Sequence, residues 1–296
     1  MSKRKKFKFQ GLTIGPGKFN TSQIKFYLIL LPFVAFMVLP IAYIFFHAVK
    51  PLDELFLFPP RFTTTRPTLD SFRNLLDMVQ STHIPLNRYL FNNIVVTVSV
   101  VGLSIIISVM AGYVLSKKNF KAKKALFNIN MMALMFVPTA VLVPRYLVVS
   151  RIGIIDTYFG HILPMVAMPV GLFLIKQFID QTPDALIEAA EIDGANDFYI
   201  IRKIIFPLVK PAIATLGIMA FQLSWNDTTS SRLWINDESM KTFAFYLETF
   251  LQGMEHNVAM QGMAAASALI MFIPNLVIFI FMQSKVMNTM AHSGIK

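Results

Sequence analysis

The stretch Tyr89-Leu-Phe-Asn-Asn-Ile-Val-Val-Thr-Val-Ser-Val-Val-Gly-Leu-Ser-Ile-Ile-Ile-Ser-Val-Met-Ala-Gly-Tyr-Val-Leu-Ser116 runs from Arg88 to Lys117 without a charged residue. A helix needs about 20 apolar residues to cross a bilayer, so this run is long enough to span one. Five more charge-free runs flank it: Phe26 to Val49, Ala125 to Pro144, Thr157 to Ile175, Pro211 to Asn226 and His256 to Ser284. The fifth is short, but Lys210 can snorkel and let that span begin near Phe206. The first outlasts the h-region of a signal peptide, contains Pro40 and has no Ala-x-Ala site behind it. It reads as a kinked helix that is retained.

The expected architecture is therefore an all-α, polytopic membrane protein. A transmembrane domain over 26–284 holds six spans near 26–49, 93–116, 125–149, 157–176, 206–226 and 262–284. The flanking tails cover 1–25 and 285–296.

Composition agrees. The 296 residues are 55% hydrophobic and 15% charged, with mean hydropathy +0.58. A soluble domain carries about 25% charged residues. The net charge is +11, yet so apolar a chain is neither a basic disordered tail nor a simple nucleic-acid binder. Cysteine is absent, which removes disulfides, thiolate metal sites and a cysteine nucleophile.

Lysine and arginine in the loops set the orientation. With the N-terminus in the cytoplasm, 18 of 27 basic residues and 6 of 16 acidic ones fall inside, leaving net +12 there and −1 outside. Both termini are expected in the cytoplasm. The basic N-terminal run and Lys117, Lys118, Lys121, Lys123 and Lys124 read as determinants of that topology, able to meet anionic headgroups. Gly11 to Phe19 only faintly resembles a phosphate loop: the first glycine is misplaced and Phe19 stands where Ser or Thr is required.

Outside, Leu69, Phe72, Leu75 and Leu76 follow Thr68 at helical spacing. Thr68 is the expected N-cap of a short surface helix, which either packs on the outer face or docks an external partner. A later outer loop, Asp227 to Glu255, carries Trp234, Phe243, Phe245, Tyr246 and Phe250.

All six inside acids lie between Asp180 and Asp197. Thr182-Pro183 has the form of an N-cap with proline at the first helical position. Asp184 and Glu188 suit the early turns, while Ala185, Ala189 and Ala190 leave little bulk on one face. Gly194 turns the chain, and a second helix follows from Asp197, ending near Pro207 or bending into span five. A compact helix–turn–helix of this kind suits insertion into a groove of another protein.

The segment Glu188-Ala-Ala-Glu-Ile-Asp-Gly194-Ala-Asn-Asp-Phe-Tyr-Ile-Ile-Arg-Lys-Ile204-Ile-Phe-Pro207 resembles the EAA loop of ABC importer permeases. Phe206 replaces the usual Leu. Trp225-Asn226-Asp227, Pro51 to Pro60, Pro67 to Arg73 and the ending Met290 to Lys296 resemble carbohydrate permeases, in particular the smaller, maltose-type membrane subunit.

That resemblance implies a type I importer permease with a cytoplasmic coupling loop over 180–207. It belongs in the bacterial cytoplasmic membrane beside a homologous second permease and two ATPase subunits. The ATPases, not this chain, bind ATP and Mg, and an external solute-binding protein delivers an oligosaccharide. It further implies that Glu188 anchors on the ATPase, Ala189 and Ala190 allow close approach, Gly194 allows the turn and Asp193 caps the second helix. The outer loop after span five would contact the binding protein, with packing on the outer face as the competing account.

For the substrate path, Gln222, Ser224, Trp225 and Asn226 cluster in span five, where an aromatic face and amide donors suit a sugar ring. Helix–helix hydrogen bonding is the other reading of such residues, and it is preferred for Asn92, Asn93, Asn128, Asn130 and Asn275. Arg145 reaches either the interface or a cavity that takes an acidic sugar. His161 reads as a hydrogen-bonded helix residue. No catalytic residue and no metal ligand is expected. The rival class, an autonomous secondary transporter or channel, should place ionisable residues in mid-span, and the runs contain none.

Overall fold

A computed structural model describes residues 24–80, 84–252 and 257–293. The basic run before Ile24, the Gly11–Phe19 segment and Gly294–Lys296 lie outside the described residues. The described chain is helical throughout.

Helix α1 (Ile24–Ala48) contains Pro32 and Pro40 and exposes apolar side chains along most of its length. A one-turn helix α2 (Leu52–Leu55) and α3 (Asp70–Gln80) lead to α4 (Leu86–Lys117). Three helices, α1, α4 and the last, are long and apolar enough to cross a membrane. Three bent pairs bring the number of crossings to six if each is one span.

The first bent pair breaks the helix within the expected span 125–149. Helix α5 (Lys123–Ala133) stops, and a 3-10 turn from Pro138 leads into α6 (Leu142–Ile152) at 110° to it. Pro138 has no N–H to donate back to the preceding turn, so the hydrogen-bond ladder ends there. A milder 45° bend separates α7 (Tyr158–Val166) from α8 (Pro169–Asp180), again at a proline.

Helix α4 is the axis of the bundle and packs on α7, α8 and a later span. Its buried row Asn92, Val96, Val100, Ser104, Ser108 and Gly112 repeats every fourth residue, so it forms one ridge along the helix. Small residues in that ridge admit close neighbours. A Cβ on Gly112 would lie 3.0 Å from Ile175 Cγ2, and one on Gly171 2.4 Å from Leu216 Cδ1.

Past α8 come α9 (Asp184–Ile192), α10 (Asp197–Ile200), a π-turn over Ile201–Ile205 and α11 (Phe206–Leu208). The axis then swings by 84° into α12 (Lys210–Trp225). The long straight helix here begins at Lys210, and the chain near Phe206 belongs to the other arm of the bent pair. The bend sits between Pro207 and Pro211, neither of which can donate a helical hydrogen bond. Helices α13 (Thr229–Leu233) and α14 (Phe243–Gln252) precede the final α15 (Gln261–Ser293), which packs on α1, α3 and α12.

The surface helix after Thr68 forms, and Phe72 and Leu75 pack into apolar clusters with α15. It starts at Asp70, however, and Leu69 O receives the first N–H groups. Thr68 is not its cap: its Oγ1 makes no hydrogen bond to the described residues, and its N–H donates to Val49 O at 2.8 Å. The aromatic residues of 227–252 pack inward. Trp234 Nε1 donates to Gly160 O at 2.7 Å, Phe243 is buried and Tyr246 stacks on Tyr89 at 4.7 Å.

Candidate functional site

Two features, at opposite ends of α12, carry functional weight. The first is the hairpin of α9 and α10. Its turn is a Schellman motif: Ala195 N donates to Ala190 O at 2.9 Å and Gly194 N to Glu191 O at 3.0 Å. Gly194 holds φ +83°, where a Cβ is disfavoured. Asn196, not Asp193, caps the second helix, since its Oδ1 accepts from Tyr199 N at 2.8 Å. Asp193 instead closes the C-terminus of α9, three residues before the cap position of the second helix. The Thr182 side chain makes no cap either; α9 is first helical at Asp184, and Thr182 is buried.

The hairpin is built into the bundle. Ile187, Ile200 and Ile205 share one core with Val109 and Tyr113 of α4, Ile175 and Ile179 of α8, and Leu216 of α12. Ala190 and Ala195 pack against the same core. The three alanines of α9 therefore split: Ala190 faces inward, while Ala185 and Ala189 are exposed.

Charges sort in the same way. Lys117 Nζ donates to Asp184 Oδ1 at 2.7 Å and to Thr182 O at 2.6 Å. Lys118 Nζ reaches Glu191 Oε1 at 3.2 Å and Asp197 Oδ1 at 2.7 Å. Tyr113 Oη also donates to Asp197 Oδ1, at 2.9 Å. Lys176 pairs with Asp180 at 2.6 Å. The hydrogen bond from Lys118, then that from Tyr113, holds the Asp197 carboxyl below its ordinary value. The bond to Asp197, reinforced by Glu191, pushes the Lys118 ammonium up.

Of the six acids, only Glu188 and Asp193 have no salt bridge among the described residues. Both are exposed on the outer side of the hairpin, beside Leu186 and Ile192, the latter 86% exposed.

The structure thus brings the five hairpin residues named from sequence onto one turn and its approach. Lys117, Lys118, Tyr113 and Asn196 were missed. The available signal was that basic residues and acids on successive loops of one side must face each other.

The second feature is the end of α12. Ser224 and Trp225 are buried within the chain, Ser224 bonding back to Ala220 O at 2.7 Å and Trp225 Nε1 donating to Met271 O at 3.2 Å. Gln222 and Asn226 are exposed instead, and Asn275 Nδ2 on α15 donates to Asn226 Oδ1 at 3.3 Å. The expected cluster of four therefore divides into two packing residues and two exposed amides, of which Asn226 also donates to Gln222 O at 2.8 Å.

Asn92 and Asn93 tie α4 to the 239–244 segment and to Trp225, and Asn130 ties α5 to Pro169 O, as interhelical residues should. Asn128 is exposed and makes no such tie. His161 is buried between Ser230 Oγ at 2.6 Å and Met240 O at 3.1 Å. Arg145 borders an apolar cavity of about 460 Å³ with Val148, Ile152 and Leu163. Among the described residues no group of His, Asp or Glu could hold a metal ion.

Comparison with known proteins agrees with this geometry. Residues 84–284 match the family described as binding-protein-dependent transport system inner membrane component. The arabinooligosaccharides transport system permease protein AraQ of Halalkalibacterium halodurans is 26% identical over 269 residues, covering 86% of this chain and 94% of the relative. Protein LplC of Bacillus subtilis is 33% identical over 210 residues, 69% of this chain and 67% of the relative. Among solved structures, a chain of a bacterial ABC transporter involved in the import of the acidic polysaccharide alginate has the same fold. Its TM-score is 0.75 at 22% identity, with 90% of this chain and 98% of that chain covered. With the matched region spanning the α4 axis, the hairpin and most of α15, the chain belongs to the inner membrane components of binding-protein-dependent transport systems, as a non-catalytic, multi-pass permease subunit.

Proposed function

We propose that this subunit forms half of the path of an oligosaccharide importer and is driven by ATPases that dock on the α9–α10 hairpin. The observation that carries the reading is the outward face of α9. Ile192, 86% exposed, lies one turn on from Glu188, which makes no salt bridge among the described residues, and Leu186 is exposed on the other flank of the helix. Such a face fits an apolar groove with a basic residue at its edge. Ala189 lets the groove wall approach closely, and Asp193 adds a second outward charge beside the Gly194 turn.

In this reading, 26–284 is the permease domain, 180–207 its coupling loop, and 1–25 and 285–296 are tails on the cytoplasmic side with the loop. ATP and Mg belong to the two ATPase subunits. ATP-driven closure of the ATPases moves the hairpins, and the spans swing between inward-open and outward-open states around a cavity shared with a second, homologous permease. An external binding protein delivers the sugar at the opposite end. The exposed apolar surface of α1 and of the outer side of α4 suits lipid and that second permease. Oligosaccharide is supported by the sugar named for the arabinooligosaccharide relative and by the exposed amide of Gln222, whose donors and acceptor match hydroxyls, with Asn226 beside it bonded to Asn275 and Gln222 O. Ser224 and Trp225 act behind them by fixing α12 on α15.

The test is purification of the tagged permease with its ATPase. Glu188→Lys should weaken association about tenfold, or roughly 1.4 kcal/mol, with the permease still folded. Full association and uptake in that variant would refute the docking reading. A panel of neutral and uronic-acid oligosaccharides tested on the cognate binding protein checks the substrate class.

A further inference from the structure

The two lysines that end α4 join a helix which does not belong to the hairpin to both of the hairpin's arms. Lys117 holds the first turn of α9 through Asp184 and Thr182 O. Lys118 bridges the last turn of α9, at Glu191, and the first residue of α10, at Asp197, so one ammonium spans the Gly194 turn. Tyr113, one turn back along α4, donates to the same Asp197 oxygen and is itself buried in the core shared with Ile187 and Ile200. Lys117 has only 8% of its side chain exposed, while its partner Asp184 lies open at 74%.

Covalently, the hairpin runs on into α12 through the π-turn and the 84° bend at Val209. That route contains two prolines and an irregular ladder, and it is the softer link. The non-covalent links are the apolar core of Ile187 and Ile200 with Val109 and Tyr113, and the polar clamp beside it; both lead into the helix that packs on α7, α8, α12 and α14.

We propose that Lys118, with Asp197 and Tyr113, is a positioning set that makes α4 follow the hairpin when ATP closes the ATPases, so that the stroke enters the bundle through α4 as well as through α12. The inference rests on the docking reading above. The acids support it by their sorting: those used by the clamp face α4, and Glu188 and Asp193 are left for the ATPase side. A rigid coupling element must hold its own scaffold with one set of charges and its partner with another.

The experiment uses the assembled importer in lipid, with spin labels at Tyr199→Cys, exposed on the second arm of the hairpin, and at Phe120→Cys; the chain has no native cysteine. The probe is ATP with vanadate, which traps the closed ATPases. In the otherwise unmodified chain, and in Lys118→Arg, which keeps a cation able to serve two carboxylates, the dipolar coupling between the labels should be the same before and after trapping. In Lys118→Met and in Asp197→Asn, trapping should shift or abolish it, because the hairpin moves and α4 lags, while ATPase co-purification persists. An unchanged coupling in both variants overturns the inference and leaves the docking reading standing. If Lys118→Met does not assemble, Tyr113→Phe decides by the same readout: a smaller shift supports the set, and none overturns it. Failure of the labelled parent to bind any ATPase overturns the docking reading and this inference together.

Discussion

Gly194 and Trp225 show what single residues contribute. At φ +83° Gly194 sits where an L-residue loses about 1 kcal/mol, although no atom lies within 4 Å of a Cβ built there. Gly102 is equally uncrowded but lies inside α4, where alanine gains up to about 1 kcal/mol. Gly194→Ala should therefore loosen the hairpin, read as faster amide exchange over 184–200, while Gly102→Ala leaves it unchanged. Equal behaviour of the two would show that backbone conformation is not what Gly194 supplies. Trp225 and Asn226 are adjacent but do different work. Trp225→Phe removes the bond to Met271 O and should cost about 1 kcal/mol of stability with sugar uptake limited only by the amount folded. Asn226→Ala loses the bonds to Asn275 and Gln222 O and should also cost stability, whereas Gln222→Ala, at an exposed position, should leave thermal stability unchanged and impair uptake. The reverse pattern would place the sugar on the indole.

At the level of elements, the hairpin is fastened to α4 by side chains whose titration sets a pH window. Asp197 is depressed by Lys118 and Tyr113, so its contribution is present above the ordinary carboxylate range and is lost as pH falls through its folded value. Lys118 is raised, so its contribution is present below its ordinary value and is lost only as pH climbs through the higher folded one. Between those limits attachment of the hairpin should not depend on pH. Protection factors for 184–200, corrected for intrinsic exchange, should be flat from about pH 5 to 9 and fall in stronger acid. A step near neutrality would mean that another group controls the contact. In Asp197→Asn the acid-induced loss should shrink, since the titrating partner is gone.

For the whole molecule, the charge difference between its two ends is the quantity to test. Thr63 lies in the segment between α1 and α4, and Lys121 at the hairpin end; both are exposed. With no native cysteine, Thr63→Cys and Lys121→Cys each place one thiol at a known end. An impermeant maleimide added to intact cells should label Thr63→Cys and spare Lys121→Cys, which reacts after lysis. Labelling of Lys121→Cys in intact cells would invert the topology and remove the ATPase from the hairpin.

Much of this was legible because bilayer crossing is a property of composition over a short window. Runs without charge located α1, α4 and α15 and both halves of α7–α8, and lysine in the loops argued an orientation. The hairpin, too, was readable, since Gly194 and the flanking helix formers act locally. What the sequence by itself did not determine was anything that depends on which side chains meet across the fold. The break at Pro138 and the 84° turn at Val209 follow from prolines whose effect, kink or full break, is decided by packing. The Lys117–Lys118 clamp joins residues more than 60 positions apart. Trp225 and Asn226 stand side by side in the chain, yet α15 buries one and leaves the other open. Periodicity names the candidates for a face; only the neighbouring helices decide which of them water, lipid or a partner can reach.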